Sequence, residues 1–183
     1  MKNYSSPDRE GDKGKTSILP SSGIEKDCPL IQSLGTVDEL NSIVGVARAS
    51  SKDLEVNAIL KKIQEDLLIV GSDMNNLSRD PNYPFIEKEN ISYVETVIEN
   101  FEAQLPPLKH FILPGGTSSA SYLHLARSVS RRAEREVVNL AKEQNVNPEI
   151  LKYLNRLSDM FFVLARIVNF RNQTKEDEWM PRG

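Results

Sequence analysis

Five stretches of apolar residues recur at helical spacing along this chain, and no convincing alternation of period two lies between them, which restricts the fold to a bundle of helices. The first stretch starts at Thr36 and runs to about Ala49: Thr36-Val37-Asp38-Glu39 has the spacing of a capping box, and Val37, Leu40, Ile43, Val44 and Ala47 follow on one face. The second carries Leu54, Ile59, Leu60, Ile63, Leu67, Val70 and Met74, and the third Ile91, Val94, Val97, Ile98, Phe101 and Leu105, with Asp80-Pro81 and Pro84 between them. The fourth opens near Thr117 or Ser118 and continues to about Gln144. Asn147 as cap and Pro148 at the first helical position start the fifth, which carries Ile150, Leu154, Leu157, Phe161, Leu164 and Ile167. Short polar connections and the absence of an internal repeat complete the expectation of an all-α, five-helix up-and-down bundle.

What lies outside these stretches reads as loop. Residues 1–30 hold several Gly, Pro and Ser without sustained periodicity, and the apolar island Phe111-Ile112-Leu113, fenced by Pro106, Pro107, Pro114, Gly115 and Gly116, is too short for a helix. Residues past Asn172 are mostly charged and are expected to fray. The expected organisation is thus an N-terminal loop segment (1–30), a helical domain (31–172) and a polar tail (173–183), and a chain of 183 residues with 39% hydrophobic residues suits a single core.

Charge narrows the partners. The 23 basic and 26 acidic residues are interspersed and leave a net charge of −3, so no broad field favours nucleic acid or an anionic membrane, and an anion site has to be local. Cys28 is the single cysteine, which rules out an internal disulfide and fits a reducing, cytoplasmic setting. No stretch approaches the roughly 18 apolar residues of a membrane span.

Three features could carry chemistry. The fourth helix places Arg127, Arg131 and Glu134 on one face, with Arg132 and Arg135 beside them. Such a cluster is either a solvated lattice of ion pairs or, because the guanidinium fork donates two parallel hydrogen bonds, a clamp for polyphosphate. The loop Gly11-Asp12-Lys13-Gly14-Lys15-Thr16-Ser17 resembles a P-loop in composition but has Arg9 where that motif needs its first glycine, and no strand–helix frame. Phosphate cradling of another kind and a flexible tail both remain open for it. Asn155 and Asp159, one turn apart on the apolar fifth helix, need partners across the bundle or a ligand. His110 and His124 are too few for a histidine-rich metal site, and no nucleophile motif is present.

Taken in order, Gly11-Asp12-Lys13-Gly14 with Thr16, Lys26-Asp27, Gly35-Thr36-Val37-Asp38-Glu39-Leu40-Asn41, Phe111-Ile112-Leu113-Pro114-Gly115-Gly116, Ala126 to Arg135 and Tyr153-Leu154-Asn155-Arg156-Leu157-Ser158-Asp159 resemble the PduO-type ATP:cob(I)alamin adenosyltransferases, over roughly residues 4–172. The resemblance implies a homotrimer of ferritin-like five-helix bundles with an active site at each subunit interface. The substrates would be ATP with Mg2+, the metal held without protein side chains, and cob(I)alamin. A cobalamin reductase and an adenosylcobalamin-dependent enzyme would be its partners.

By the same resemblance Gly11, Thr16, Ser17 and Lys26 would hold the triphosphate, preceded by Asp8, Arg9 and Glu10 in the ATP loop. Arg131, Glu134 and Asn155 would contact the nucleotide, with Arg132 and Arg135 in the same motif. Asp38 and Arg127 match a pair that bridges the subunit interface and shapes the site, and Phe111 matches the aromatic residue set against the corrin that keeps the lower axial ligand off cobalt. The family usually has Thr-Arg/Lys-Thr where this chain has Asp8-Arg9-Glu10, so the alternative is a trimeric helical binding or chaperone protein for corrinoids with impaired ATP use.

Overall fold

The computed structural model describes residues 10–18, 21–76 and 80–180. Asp8 and Arg9 therefore lie outside the described residues. Within them the chain forms α1 (Pro29–Ser50), α2 (Leu54–Asn75), α3 (Lys88–Glu102), α4 (Ser118–Leu140) and α5 (Pro148–Arg171). Polar caps start three of them. The Asp53 carboxylate accepts from the backbone N–H of Glu55 and Val56, the Thr117 hydroxyl from that of Ala120 and the Asn147 amide from that of Glu149.

α1 begins seven residues earlier than the sequence reading placed it. Pro29, whose fixed φ suits the first helical position, opens it, and Leu30, Ser33 and Leu34 extend the inward stripe of Val37 and Leu40. The spacing taken for a capping box sits inside the helix, where the Thr36 hydroxyl donates to the Gln32 carbonyl at 2.9 Å. At the other end of the bundle α4 stops at Leu140 rather than Gln144. Lys142 and Glu143 donate to the carbonyls three residues before them, so the chain tightens into a turn.

α4 is the central packing element, lying against α1 on one side and α5 on the other, while α2 rests on α1 and α3 on α5. Ala126, Ser130 and Ala133 are fully buried on α4 and let the backbones approach, to the point where the Ser130 hydroxyl donates to the Leu154 carbonyl of α5 at 2.8 Å. Leu40, Val44, Leu60, Ile63, Leu123, Leu154 and Phe161 fill the core. Two buried carboxylates tie the layers. Asp66 accepts from Tyr153, Lys62 and Asn90, and Asp73 from the Ile86 N–H and the Asn147 amide.

Two short antiparallel ribbons depart from the all-loop expectation. β1 (Lys15–Ile18) pairs with β2 (Ser21–Glu25) in a hairpin behind a 3-10 turn at Glu10–Lys13. The island Phe111–Ile112 forms β3, which pairs with β4, Glu178–Trp179, in the tail that was expected to fray. Pairs of two to five residues are too short to register as a period-two pattern. The tail is also held by Arg166, which is buried and bonds both Glu176 and the Pro106 carbonyl.

Between β3 and α4, Gly116 has φ +104°, and a Cβ built on it would overlap the side chain of Asn169. That amide accepts from the Thr117 N–H and donates to the Gly115 carbonyl, both at 3.0 Å, and so fixes the turn that delivers Phe111 beside α4.

Candidate active site

Helical spacing on α4 puts Arg127, Arg131 and Glu134 on one face, and the structure separates their environments. Arg127 is half-buried, with its guanidinium carbon 5.6 Å from the centre of the Phe162 ring. Arg131 is exposed, and its guanidinium has no hydrogen-bond or ion-pair partner among the described residues. Glu134 is half-buried and accepts a hydrogen bond from the Asn155 amide of α5 at 3.2 Å. Arg132 turns to α1 and pairs with Glu39, and Arg135 donates to the Arg131 carbonyl. The stripe is therefore mixed: Arg132 is in a lattice pair, whereas Arg131 is a free cation next to a polar Glu134–Asn155 couple.

At the Arg127 end of this stripe lies a cleft of about 890 Å3 between α3, the β3–β4 ribbon, α4 and α5. Ile98, Phe111, Phe162, Val163 and Trp179 make its apolar wall, and His124, Arg127 and Asp159 supply polar groups. Phe111 is 79% exposed and Trp179 beside it 49%, so the two rings form an exposed apolar patch at the cleft. The size and mostly apolar lining fit one sizeable ligand with a few polar anchors.

His124 stands in this wall. Its ring meets Phe162 edge to face at 6.1 Å, and its Nε2 is buried without a hydrogen-bond partner among the described residues. Burial first, and the Arg127 charge second, push its pKa below the ordinary value of 6.5, so the neutral imidazole is favoured. Phe162 and Trp179 complete the wall without a motif of their own in the sequence. His124 could have been found from its (i, i+3) spacing to Arg127, but Trp179 carries no local signal because its place depends on pairing with a strand far away in sequence.

The N-terminal residues gather separately. The Lys26 ammonium donates to the Gly11 carbonyl, the Lys26 N–H to the Gly14 carbonyl at 2.9 Å, and Thr16 pairs with Ile24 across the hairpin that also holds Ser17. Gly14, at φ +76°, makes the bend that lets Lys26 close on Gly11. This hairpin packs chiefly on itself and on the 3-10 turn that begins at Glu10. One chain thus holds the expected phosphate loop and the arginine face as two clusters. Asp38 is likewise exposed on α1, and neither an ion pair nor a hydrogen bond joins it to Arg127 within the chain. Among the described residues no group of His, Cys, Asp and Glu could hold a metal ion, and no helix is long and apolar enough to cross a membrane.

The chain is similar to known proteins along most of its length. The family profile of cobalamin adenosyltransferases matches residues 8–168. A corrinoid adenosyltransferase of Bacillus subtilis is 42% identical over 175 residues, covering 93% of this chain and 90% of the relative. The corrinoid adenosyltransferase PduO of Salmonella typhimurium is 38% identical over 160 residues, 86% of this chain, which spans about half of that longer protein (48%). Among solved structures, a variant of the PduO-type ATP:corrinoid adenosyltransferase of Lactobacillus reuteri, complexed with cobalamin and ATP, superposes with a TM-score of 0.88 at 36% identity, covering 93% of this chain and 97% of that one. The bundle, the cleft beneath Phe111 and the arginine face of α4 thus belong to a member of the cobalamin adenosyltransferase family.

Proposed function

We propose that this protein transfers the 5'-deoxyadenosyl group of ATP to the cobalt of cob(I)alamin, giving adenosylcobalamin and triphosphate. The observation that carries this reading is the junction on α4 of a wide apolar cleft with a free arginine: Arg127 lines the cleft, and Arg131 follows one turn later. A flat corrin and a polyphosphate need those two surfaces side by side.

In the reaction the cobalt electron pair attacks C5' of the ribose, a cobalt–carbon bond forms, and the C5'–oxygen bond breaks with its electrons leaving on the triphosphate. Cob(I)alamin is already a strong nucleophile, so no general base is needed, and the protein supplies alignment and charge. Arg131 is free to bind the triphosphate, with the exposed Arg135 adding charge one turn on and Arg132, paired with Glu39, at the edge of the site, while Glu134 and Asn155 engage the nucleoside. Gly11, Thr16, Ser17 and Lys26 cradle the phosphates from the hairpin side, with Asp8, Arg9 and Glu10 leading into it. Mg2+ would enter with the triphosphate and offset part of its charge. Phe111 covers the lower face of the corrin and displaces its axial ligand, which makes cob(II)alamin easier to reduce.

The functional unit of this reading is a homotrimer in which the hairpin of one subunit closes over the α4 face of the next, and Asp38 meets Arg127 across the same interface. Two features support it: the hairpin and the arginines form separate clusters within one chain, and Val46 on α1 with Tyr122, Leu125 and Val138 on α4 are exposed apolar residues. The free Cys28 accords with a cytoplasmic setting, where a cobalamin reductase would supply substrate and an adenosylcobalamin-dependent enzyme would take the product. Incubation with ATP, Mg2+ and chemically reduced cobalamin, followed by the corrin absorbance spectrum, tests the transfer.

A further inference from the structure

We propose that Glu95 on α3 and Arg156 on α5 are positioning residues for the nucleotide, holding Asn155 in the amide orientation that presents Glu134. The inference deepens the function proposed above and rests on its placement of Asn155 and Glu134 against the nucleotide.

Three hydrogen bonds run in series across three helices. Arg156 Nε donates to Glu95 Oε1 at 2.8 Å, Arg156 Nη1 donates to Asn155 Oδ1 at 3.1 Å, and Asn155 Nδ2 donates to Glu134 Oε1 at 3.2 Å. An asparagine amide offers an acceptor on one side and a donor on the other. With a cation fixed at its oxygen, the NH2 group is left to face the Glu134 carboxylate. The guanidinium can do this because its planar fork reaches Glu95 with one nitrogen and Asn155 with another, which a lysine ammonium at the end of a flexible stem does not reproduce.

Stability does not account for the arrangement. The Arg156 and Glu95 side chains are 43% and 44% exposed, and ion pairs that open to solvent contribute little to folding. The bond to Glu95 is nevertheless the largest influence on the Arg156 guanidinium and raises its pKa above the ordinary arginine value. What the pair fixes is direction: Arg156 is drawn over α5 toward Asn155 instead of extending into solvent.

A double-mutant cycle on the full-length protein tests the relay, reading ATP dissociation constants by titration calorimetry with KM for ATP, KM for cob(I)alamin and kcat alongside. Glu95→Ala should weaken ATP binding about fivefold, the order expected when one charge-assisted hydrogen bond is lost at one remove from the ligand. KM for cob(I)alamin and the melting temperature should stay at the wild-type values, and Glu95→Gln should restore part of the ATP affinity. In an Asn155→Ala background Glu95→Ala should have no further effect. An equal loss in both backgrounds, no loss in either, or Asn155→Ala with wild-type ATP affinity overturns the proposal. If the wild type forms no adenosylcobalamin the transferase reading falls, whereas the cycle of ATP dissociation constants still decides the relay.

Discussion

Phe111 and Trp179 meet edge to face, with ring centroids 6.4 Å apart and planes inclined at 61°. They are brought together by the β3–β4 pairing, with Arg166 anchoring the tail that supplies Trp179, and together they form one wall of the cleft. An edge-to-face pair leaves one ring face of Phe111 available to another flat surface. Phe111→Ala should impair adenosylation that starts from cob(II)alamin and a reductant far more than adenosylation of supplied cob(I)alamin. Because Phe111 is largely exposed, the free energy of unfolding should change by less than about 1 kcal/mol. Equal losses from both starting states would remove its role in displacing the axial ligand.

Arg131→Ala should lower turnover by about two orders of magnitude, the loss expected when a positioned cation no longer meets charge developing on a leaving group. Its unfolding midpoint in urea should match the wild type, since the side chain has no partner among the described residues and stands in solvent. Wild-type turnover in the mutant would return Arg131 to the surface lattice in which Arg132 and Glu39 already take part.

These two residues also show what sequence could reveal. The position of Arg131 was legible because helical period and capping are local, and α4 and α5 begin where Thr117 and Asn147 cap them. The start of α1 was not legible, because Leu30 and Ser33 are drawn into the helix by burial against the bundle, which overrides the local start signal at Thr36. Phe111 was legible as a motif residue but its surroundings were not. The cleft wall needs Trp179, some seventy positions away, and His124, whose spacing to Arg127 gives a shared helix face but not the wall it joins. Cleft geometry is a property of non-local packing, and short ribbons such as β3–β4 have too few residues to announce themselves.

Gly116→Ala should destabilise the protein by about 2–3 kcal/mol, combining the cost of a left-handed conformation for a residue with a Cβ and the displacement of the Asn169 amide. Chemical denaturation measures it. The same variant should show a higher KM for cob(I)alamin, because the turn fixed by Asn169 leads from Phe111 into α4. A Gly116→Ala protein as stable as the wild type would contradict the packing described at this turn.

His124 gives stability a pH dependence of definite sign. Its folded-state pKa lies below 6.5, so the unfolded chain binds the proton more readily. The contribution is therefore complete above the unfolded value and is lost as pH falls through the folded one. Denaturation midpoints measured from about pH 7.5 down to pH 5.5 should decline in the wild type and decline less in His124→Gln, in which the titrating imidazole is gone. Parallel curves for the two proteins would show that His124 does not titrate against the fold.

The transfer itself is tested most directly by mixing the protein with ATP, Mg2+ and chemically reduced cobalamin and following the corrin spectrum. Adenosylcobalamin should appear with one triphosphate released per cobalt–carbon bond. Absence of adenosylcobalamin when calorimetry shows both substrates bound would contradict the account and leave a corrinoid-binding protein without transferase activity.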